Sequence, residues 1–203
     1  MLNFLTQEEL ENIREDAQNV LEDCDVRNLI LYRRLTGRTV NTGTGAISLT
    51  YQDTEIYATR GDMTARAIAA SGGRYQIGDE FVLFSPSTMD STPRPDDSIM
   101  RLITCAGHLK LTAASAAIVG YNTQFLLDGV LGGDSVVINT SGAPVGVIRG
   151  TVASDVSATL KDVWAGTSEA AVEYKIYRTY SIVQRIVDPL KLAVRLVIRR
   201  MGS

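Results

Sequence analysis

The chain reads as a mainly β fold: a small β-barrel or sandwich with an N-terminal α-helix and an inserted β-rich segment. Three observations predict it. From Val172 to Ile182 the even positions (Val172, Tyr174, Ile176, Arg178, Tyr180, Ile182) alternate with Glu173, Lys175, Tyr177, Thr179 and Ser181, the period-two pattern of a half-buried strand. After Val187-Asp188-Pro189 the alternation resumes, with Leu192, Val194, Leu196 and Ile198 against Lys191, Ala193, Arg195, Val197 and Arg199. The two runs make a long β-hairpin with Pro189 at its turn, where a missing amide donor costs nothing. Upstream, Gly-Asp precedes a strand-forming run twice, at Gly78-Asp79-Glu80-Phe81-Val82 and Gly133-Asp134-Ser135-Val136-Val137, which hints at related strand starts.

The elements follow in order. Thr6 and Glu9 form a capping box for a helix in which Leu10, Ile13, Ala17, Val20 and Leu21 recur on one face and Glu8, Glu11, Glu15 and Asp16 on the other. Glu11 and Glu15 repel at this spacing, so the helix depends on packing its apolar stripe against a core or a neighbouring subunit. Asn28 to Arg34 is the first strand. Thr36 to Gly45 (TGRTVNTGTG) is a turn or assembly loop, and Ile47 to Thr59 reads as a hairpin about Gln52-Asp53. Arg60-Gly61-Asp62 marks a turn. Ser71-Gly72-Gly73 is a glycine turn, followed by a short strand through Tyr75, the Gly78-Asp79 turn and a strand over Glu80–Phe84. Ser85 to Asp97 is an exposed loop, since Pro93 and Pro95 flank Arg94 and prevent regular structure. Thr112 to Val119 is a short helix or a strand, and Val130 to Val163 several short strands with turns. Trp164, the single tryptophan, anchors a small core or a subunit contact. The helix and barrel core are expected over 1–101 and 172–203, and the inserted segment over 102–171.

Composition narrows the function. A chain of 203 residues buries a real core as one large or two small domains. Its net charge of −3 argues against a protein that wraps nucleic acid by neutralising phosphates. The start, Met1 to Glu9, lacks the basic region of a signal peptide, and no run of apolar residues is long enough to span a membrane. Cys24 and Cys105 form no disulfide framework and fit a reducing compartment as buried, inert thiols. Thr36–Gly45 lacks the lysine of a phosphate-cradling loop. His108 is the single histidine and has no acidic or cysteine neighbour to orient it. Asp90, Asp96 and Asp97 match no calcium loop. No catalytic residue, metal or cofactor is therefore expected. Paired carboxylates obey no local spacing rule, which leaves a carboxylate-dependent hydrolase as a minor alternative.

The order of motifs resembles a known family. A Thr-x-x-Glu-x-x-x-Ile-Arg-x-Asp helix (Thr6, Glu9, Ile13, Arg14, Asp16) leads to a strand with Tyr32-Arg33-Arg34. A glycine-rich loop follows, then Gly73-Arg74-Tyr75-Gln76-Ile77-Gly78-Asp79 and Asp97-Ser98-Ile99, and the chain closes with Tyr180-Ser181-Ile182-Val183 through Pro189 to a basic last strand. This resembles the head-completion or head–tail connector (neck) proteins of tailed bacteriophages, over roughly residues 6–100 and 172–200, with Leu102 to Ala171 as an insertion. The resemblance implies a structural virion protein, assembled in the host cytoplasm. It would form a homo-oligomeric ring between the portal or adaptor and the tail, with DNA passing through the channel without sequence-specific binding and no membrane contact. The residues expected at the assembly interface are Leu10, Ile13, Arg38, Arg94, Trp164, Arg195 and Arg199. A tail terminator, tail-tube or capsid decoration protein would share the β-rich composition. A sugar- or cell-binding module would need an aromatic cluster around Trp164.

Overall fold

Antiparallel strands carry nearly all the regular structure. Among the described residues they are, in chain order, β1 (Asn28–Val40), β2 (Ile47–Asp62), β3 (Glu80–Phe84), β4 (Ser98–Thr104), β5 (His108–Leu111), β6 (Ala117–Tyr121), β7 (Ser135–Ile138), β8 (Pro144–Val147), β9 (Ser157–Thr159), β10 (Glu169–Val172), β11 (Tyr174–Ile186) and β12 (Val194–Arg200), with the short helix α1 (Ala65–Ala70) between β2 and β3. The computed structural model describes residues 7, 11, 12, 15, 28–85, 92–139, 141, 144–186 and 193–201. The expected N-terminal helix lies outside the described residues apart from Gln7, Glu11, Asn12 and Glu15, which are exposed. Leu10, Ile13, Cys24, Asp90, Pro189 and Leu192 also fall outside them.

The chain divides into two compact units, Met1–Ile99 with Tyr180–Arg200 and Met100–Thr179 with Met201–Ser203. The sequence placed the limits of the insertion at 102 and 171. In the first unit β1 pairs with β2, β2 with β3, β3 with β12 and β12 with β11, all antiparallel. The sheet order runs on from β1 through β4 to β11, so the strands β12-β3-β2-β1-β4-β11 return on themselves as a barrel. Its core holds Ile30, Tyr32, Ile56, Val82, Phe84, Tyr180, Leu196 and Ile198, with Ile182 and Val194 packed against it. The even positions of the carboxyl-terminal alternation thus face inward, as their polarity requires.

The second unit has its own core, which includes Leu109, Leu111, Ile118, Phe125, Val136, Trp164, Tyr174 and Ile176. Here β10-β5-β6-β9 form a four-stranded sheet. Tyr174–Tyr177 of β11 pair with β7, and β7 pairs with β8. Phe125 meets Tyr174 edge-on at 6.1 Å, a favourable aromatic geometry.

Several local expectations are corrected. β2 runs straight through Gln52-Asp53, and Arg60-Gly61-Asp62 are its last residues, paired with Val82, Phe81 and Glu80. Gly61 is required there, because a Cβ would come within 2.7 Å of the Phe81 ring. The turn instead lies after Val40: the Asn41 side chain accepts from the amides of Gly43 and Thr44, and the Asn41 amide donates to the Ala46 carbonyl. Residues 36–40 of the supposed loop continue β1. Residues 75–77 are not a strand but lead through a bend at Tyr75 into the turn at Ile77-Gly78. Residues 65–70 form α1, capped by the Thr64 hydroxyl accepting from the Ala67 amide. Thr112–Val119 resolves into a turn and the start of β6. The proline-rich loop is anchored at both ends, with Ser85, Pro93 and Asp97 buried. Cys105 is exposed rather than buried.

Leu196 is fully buried in the first core, whereas Leu49 projects from β2 into solvent. Leu196→Ala is expected to cost about 2–5 kcal/mol and Leu49→Ala within about 0.5 kcal/mol of zero, read as denaturation midpoints of the two variants. Equal losses would show that this assignment of core and surface is wrong.

Candidate functional site

The charged residues of the expected interface are placed by one local device that occurs twice. At the start of β3 the turn Gln76-Ile77-Gly78-Asp79 puts Gly78 at φ 92°, a left-handed conformation that glycine adopts at least cost. The Asp79 amide donates to the Gln76 carbonyl, and the Asp79 carboxylate accepts from the Gln76 amide at 2.8 Å. Arg199, across the ladder on β12, clamps the same carboxylate with Nε at 2.7 Å and Nη2 at 2.8 Å, and Nη2 also donates to the Arg74 carbonyl. At the start of β7 every part recurs. Gly133 has φ 90°. The Asp134 amide donates to the Leu131 carbonyl, and the carboxylate accepts from the Leu131 amide. Arg178, on β11, clamps it at 2.9 and 2.8 Å and donates to the Gly129 carbonyl. Both aspartate side chains are 1% exposed. A buried carboxylate needs such compensation, and the bidentate fork supplies charge and geometry together.

Arg199 is therefore committed within its own chain and is not a free outward charge. Its hydrogen bonds hold the Asp79 carboxyl below the ordinary carboxylate range, and Asp79 in turn raises the Arg199 guanidinium. Arg195 shares the outer face of β12 and lies 5.0 Å over the Phe81 ring, a cation–π contact. Trp164 is 9% exposed in the second core and donates through Nε1 to the Thr167 carbonyl. Of its two expected roles, core anchor or subunit contact, this position provides the first. Arg94 and Arg38 are exposed on separate elements, the turn before β4 and the far part of β1. Arg38, Arg94 and the β12 pair Arg195 and Arg199 thus lie on three different elements of the first unit, and Trp164 lies in the second.

Asp97, weighed as a cation ligand, is saturated. Its carboxylate accepts from the Tyr32 hydroxyl, the Leu35 amide and the Arg94 amide. Burial, then this hydrogen bond, raise the Tyr32 phenol above its ordinary value. Burial likewise pushes the Tyr174 phenol up to about 12. His108 is exposed on β5 opposite Tyr121. Among the described residues no group of three or more His, Cys, Asp or Glu could hold a metal ion. An open depression of about 250 Å³ beside Ser71, Arg74, Tyr75 and Gln184 is lined by no carboxylate, histidine or cysteine.

The far part of the β1–β2 hairpin, where the sequence marked Arg38 and a turn or assembly loop over Thr36–Gly45, is a larger surface than those residues suggested. Every residue from Arg38 to Glu55 is exposed, so this arm is uncovered on both faces. Opposed residues in an antiparallel ladder share a face. One face therefore carries Leu29/Tyr57, Leu31/Glu55, Arg33/Asp53, Leu35/Tyr51, Arg38/Leu49 and Val40/Ile47. Leu29, Val40, Ile47, Leu49, Tyr51 and Tyr57 on it are each 41–53% exposed. In the middle Arg33 grips Asp53 through two hydrogen bonds of 2.8 and 2.7 Å and covers the Tyr51 ring at 5.4 Å. The sequence signal for the apolar part of this surface was the alternation Ile47, Leu49, Tyr51.

Comparison with protein-family models and with curated proteins finds no match for this chain.

Removing one partner of a buried ion pair strands the other charge, at a cost of about 3–5 kcal/mol. Arg178→Ala should reach that range in a denaturation experiment. Arg199→Ala should fall below it, because the Arg199 side chain is 35% exposed against 14% for Arg178. The lowered Asp79 carboxyl gives a pH signature of the opposite sense to a histidine switch. Its contribution is present above the unfolded carboxyl value of about 3.9 and is lost as pH falls through it toward the native value. The melting-temperature gap between the wild type and Asp79→Asn should accordingly be widest near neutral pH and close below about pH 4. A gap that stays constant across that range would exclude the ion pair as its source.

Proposed function

We propose that this chain is a structural virion protein that assembles with copies of itself into a ring in the neck of a tailed bacteriophage. It joins the portal or adaptor to the tail, and DNA passes along the axis without sequence-specific contacts. The observation that carries the assembly is the arm. A two-stranded ribbon open to solvent on both faces is marginal by itself, and one with this much apolar surface gains by being covered. Its place in a phage neck is supported by the motif order from the Thr6 helix to the basic last strand. The net charge of −3 suits a channel wall to which phosphates do not adhere. The ring closes through a heterologous contact, in which one patch of a subunit meets a different patch of the next.

Mass photometry and negative-stain electron microscopy of the purified full chain at micromolar concentration test this reading. The expected result is a single ring species of one copy number with an open centre. A monomer at all concentrations would remove the reading. A ring with the symmetry of a tail in place of that of a portal would move the protein to the tail terminator or tube.

A further inference from the structure

We infer that the outer face of the β1–β2 arm is the subunit contact of this ring, with the tip of one arm laid on the base of the arm of the next copy. The inference rests on the ring reading above and specifies where the ring is held. The outer face has two chemically different ends. Its tip presents Val40, Ile47 and Leu49 with the cation Arg38, and its base presents Leu29 and Tyr57 with the anion Glu55. Between them Arg33 and Asp53 neutralise one another across the ladder. Arg38 and Glu55 have no ion-pair partner among the described residues.

Nor can they find one another within a subunit. Arg38 lies opposite Leu49 and Glu55 opposite Leu31, so they stand six positions apart along β2, about 20 Å at the rise of an antiparallel strand. At that span two exposed charges are screened from each other. A second copy whose tip crosses the base of this arm brings Arg38 to Glu55 and the aliphatic Val40–Ile47 end onto the Leu29–Tyr57 base. The same chain thus supplies both halves of a contact that is complementary in charge and polarity. Such a tip-to-base contact is heterologous and repeats from copy to copy, as a closed ring requires. The opposite face of the far arm carries Arg34, Gly37, Thr39, Ser48, Thr50 and Gln52, which offers no comparable apolar surface.

The test is a charge swap in the full-length protein, read by mass photometry at low and high salt. Arg38→Glu and Glu55→Arg should each weaken assembly at least tenfold in concentration and leave circular dichroism and melting unchanged, since both positions are solvent-exposed. The double variant should restore the ring, and Ile47→Asp should abolish it whatever the salt. A wild-type ring that survives every variant would overturn the arm contact and leave the ring reading intact. Single variants that dissociate without rescue by the swap would overturn the Arg38–Glu55 pairing. An arm-dependent dimer that never closes into a ring would overturn the tip-to-base arrangement in favour of a two-fold one. A wild-type monomer would overturn both the contact and the ring.

Discussion

A carboxylate buried at the start of a strand constrains this molecule more than any other group. Asp79 and Asp134 each end a turn whose preceding glycine is left-handed, and each carboxylate binds the amide three residues back. That leaves one negative charge inside the protein, which at these two turns a cation brought from across the ladder balances. The balancing arginine fixes strand register. Ile198 pairs with Glu80 and Tyr177 with Ser135, so in each unit the arginine is the next residue and faces the aspartate. On the other side of the same strand Asp62 pairs with Glu80 and Val147 with Ser135, and the following amide, of Met63 or Ile148, donates to the aspartate carbonyl. Three strands are locked at one point, twice, with the same offsets. Slippage of either ladder by one residue would bury an uncompensated charge and turn the core face outward.

A third strand start shows the limits of the device. Asp97, before β4, makes the same turn with Arg94 but faces no arginine; the Tyr32 hydroxyl and the Leu35 amide take its place. Neutral donors satisfy the lone pairs, and here they tie the beginning of β4 to the middle of β1.

Much of this was legible in the sequence because it is local. The Gly-Asp echo marked two of the three strand starts, and the alternation through Tyr174, Ile176 and Tyr180 and through Leu196 and Ile198 gave the inward faces correctly. What it could not show depends on the partner strand. Thr36 is an extra residue in β1, between Leu35 opposite Tyr51 and Gly37 opposite Thr50. This bulge moves the outward positions of β1 from odd to even numbers, so no single period runs from Leu29 to Val40. Gln52-Asp53 has the look of a turn, yet Asp53 is held in an extended strand by Arg33, twenty residues away. Arg199 looked like a surface charge because nothing near it in the chain is acidic; its partner lies 120 residues earlier. Leu10 and Ile13 lie outside the described residues, so their part in the interface is left to the sequence.

The two clamps also differ in when they can exist. Asp134 and Arg178 are separated by 44 positions, Asp79 and Arg199 by 120, and the second unit is threaded between the two stretches of the first. Both members of the inner pair precede β12, so that pair can close before β12 is in place. The outer pair must wait for Arg199, which follows Arg178 in the chain. Until then the Asp79 turn and the apolar faces of β2 and β3 await β12. Joining distant ends costs entropy that grows with the logarithm of the loop, and the inserted unit, once folded, replaces a long floppy loop with a compact body. The outer clamp is therefore the later contact to form, joining segments that lie 120 residues apart.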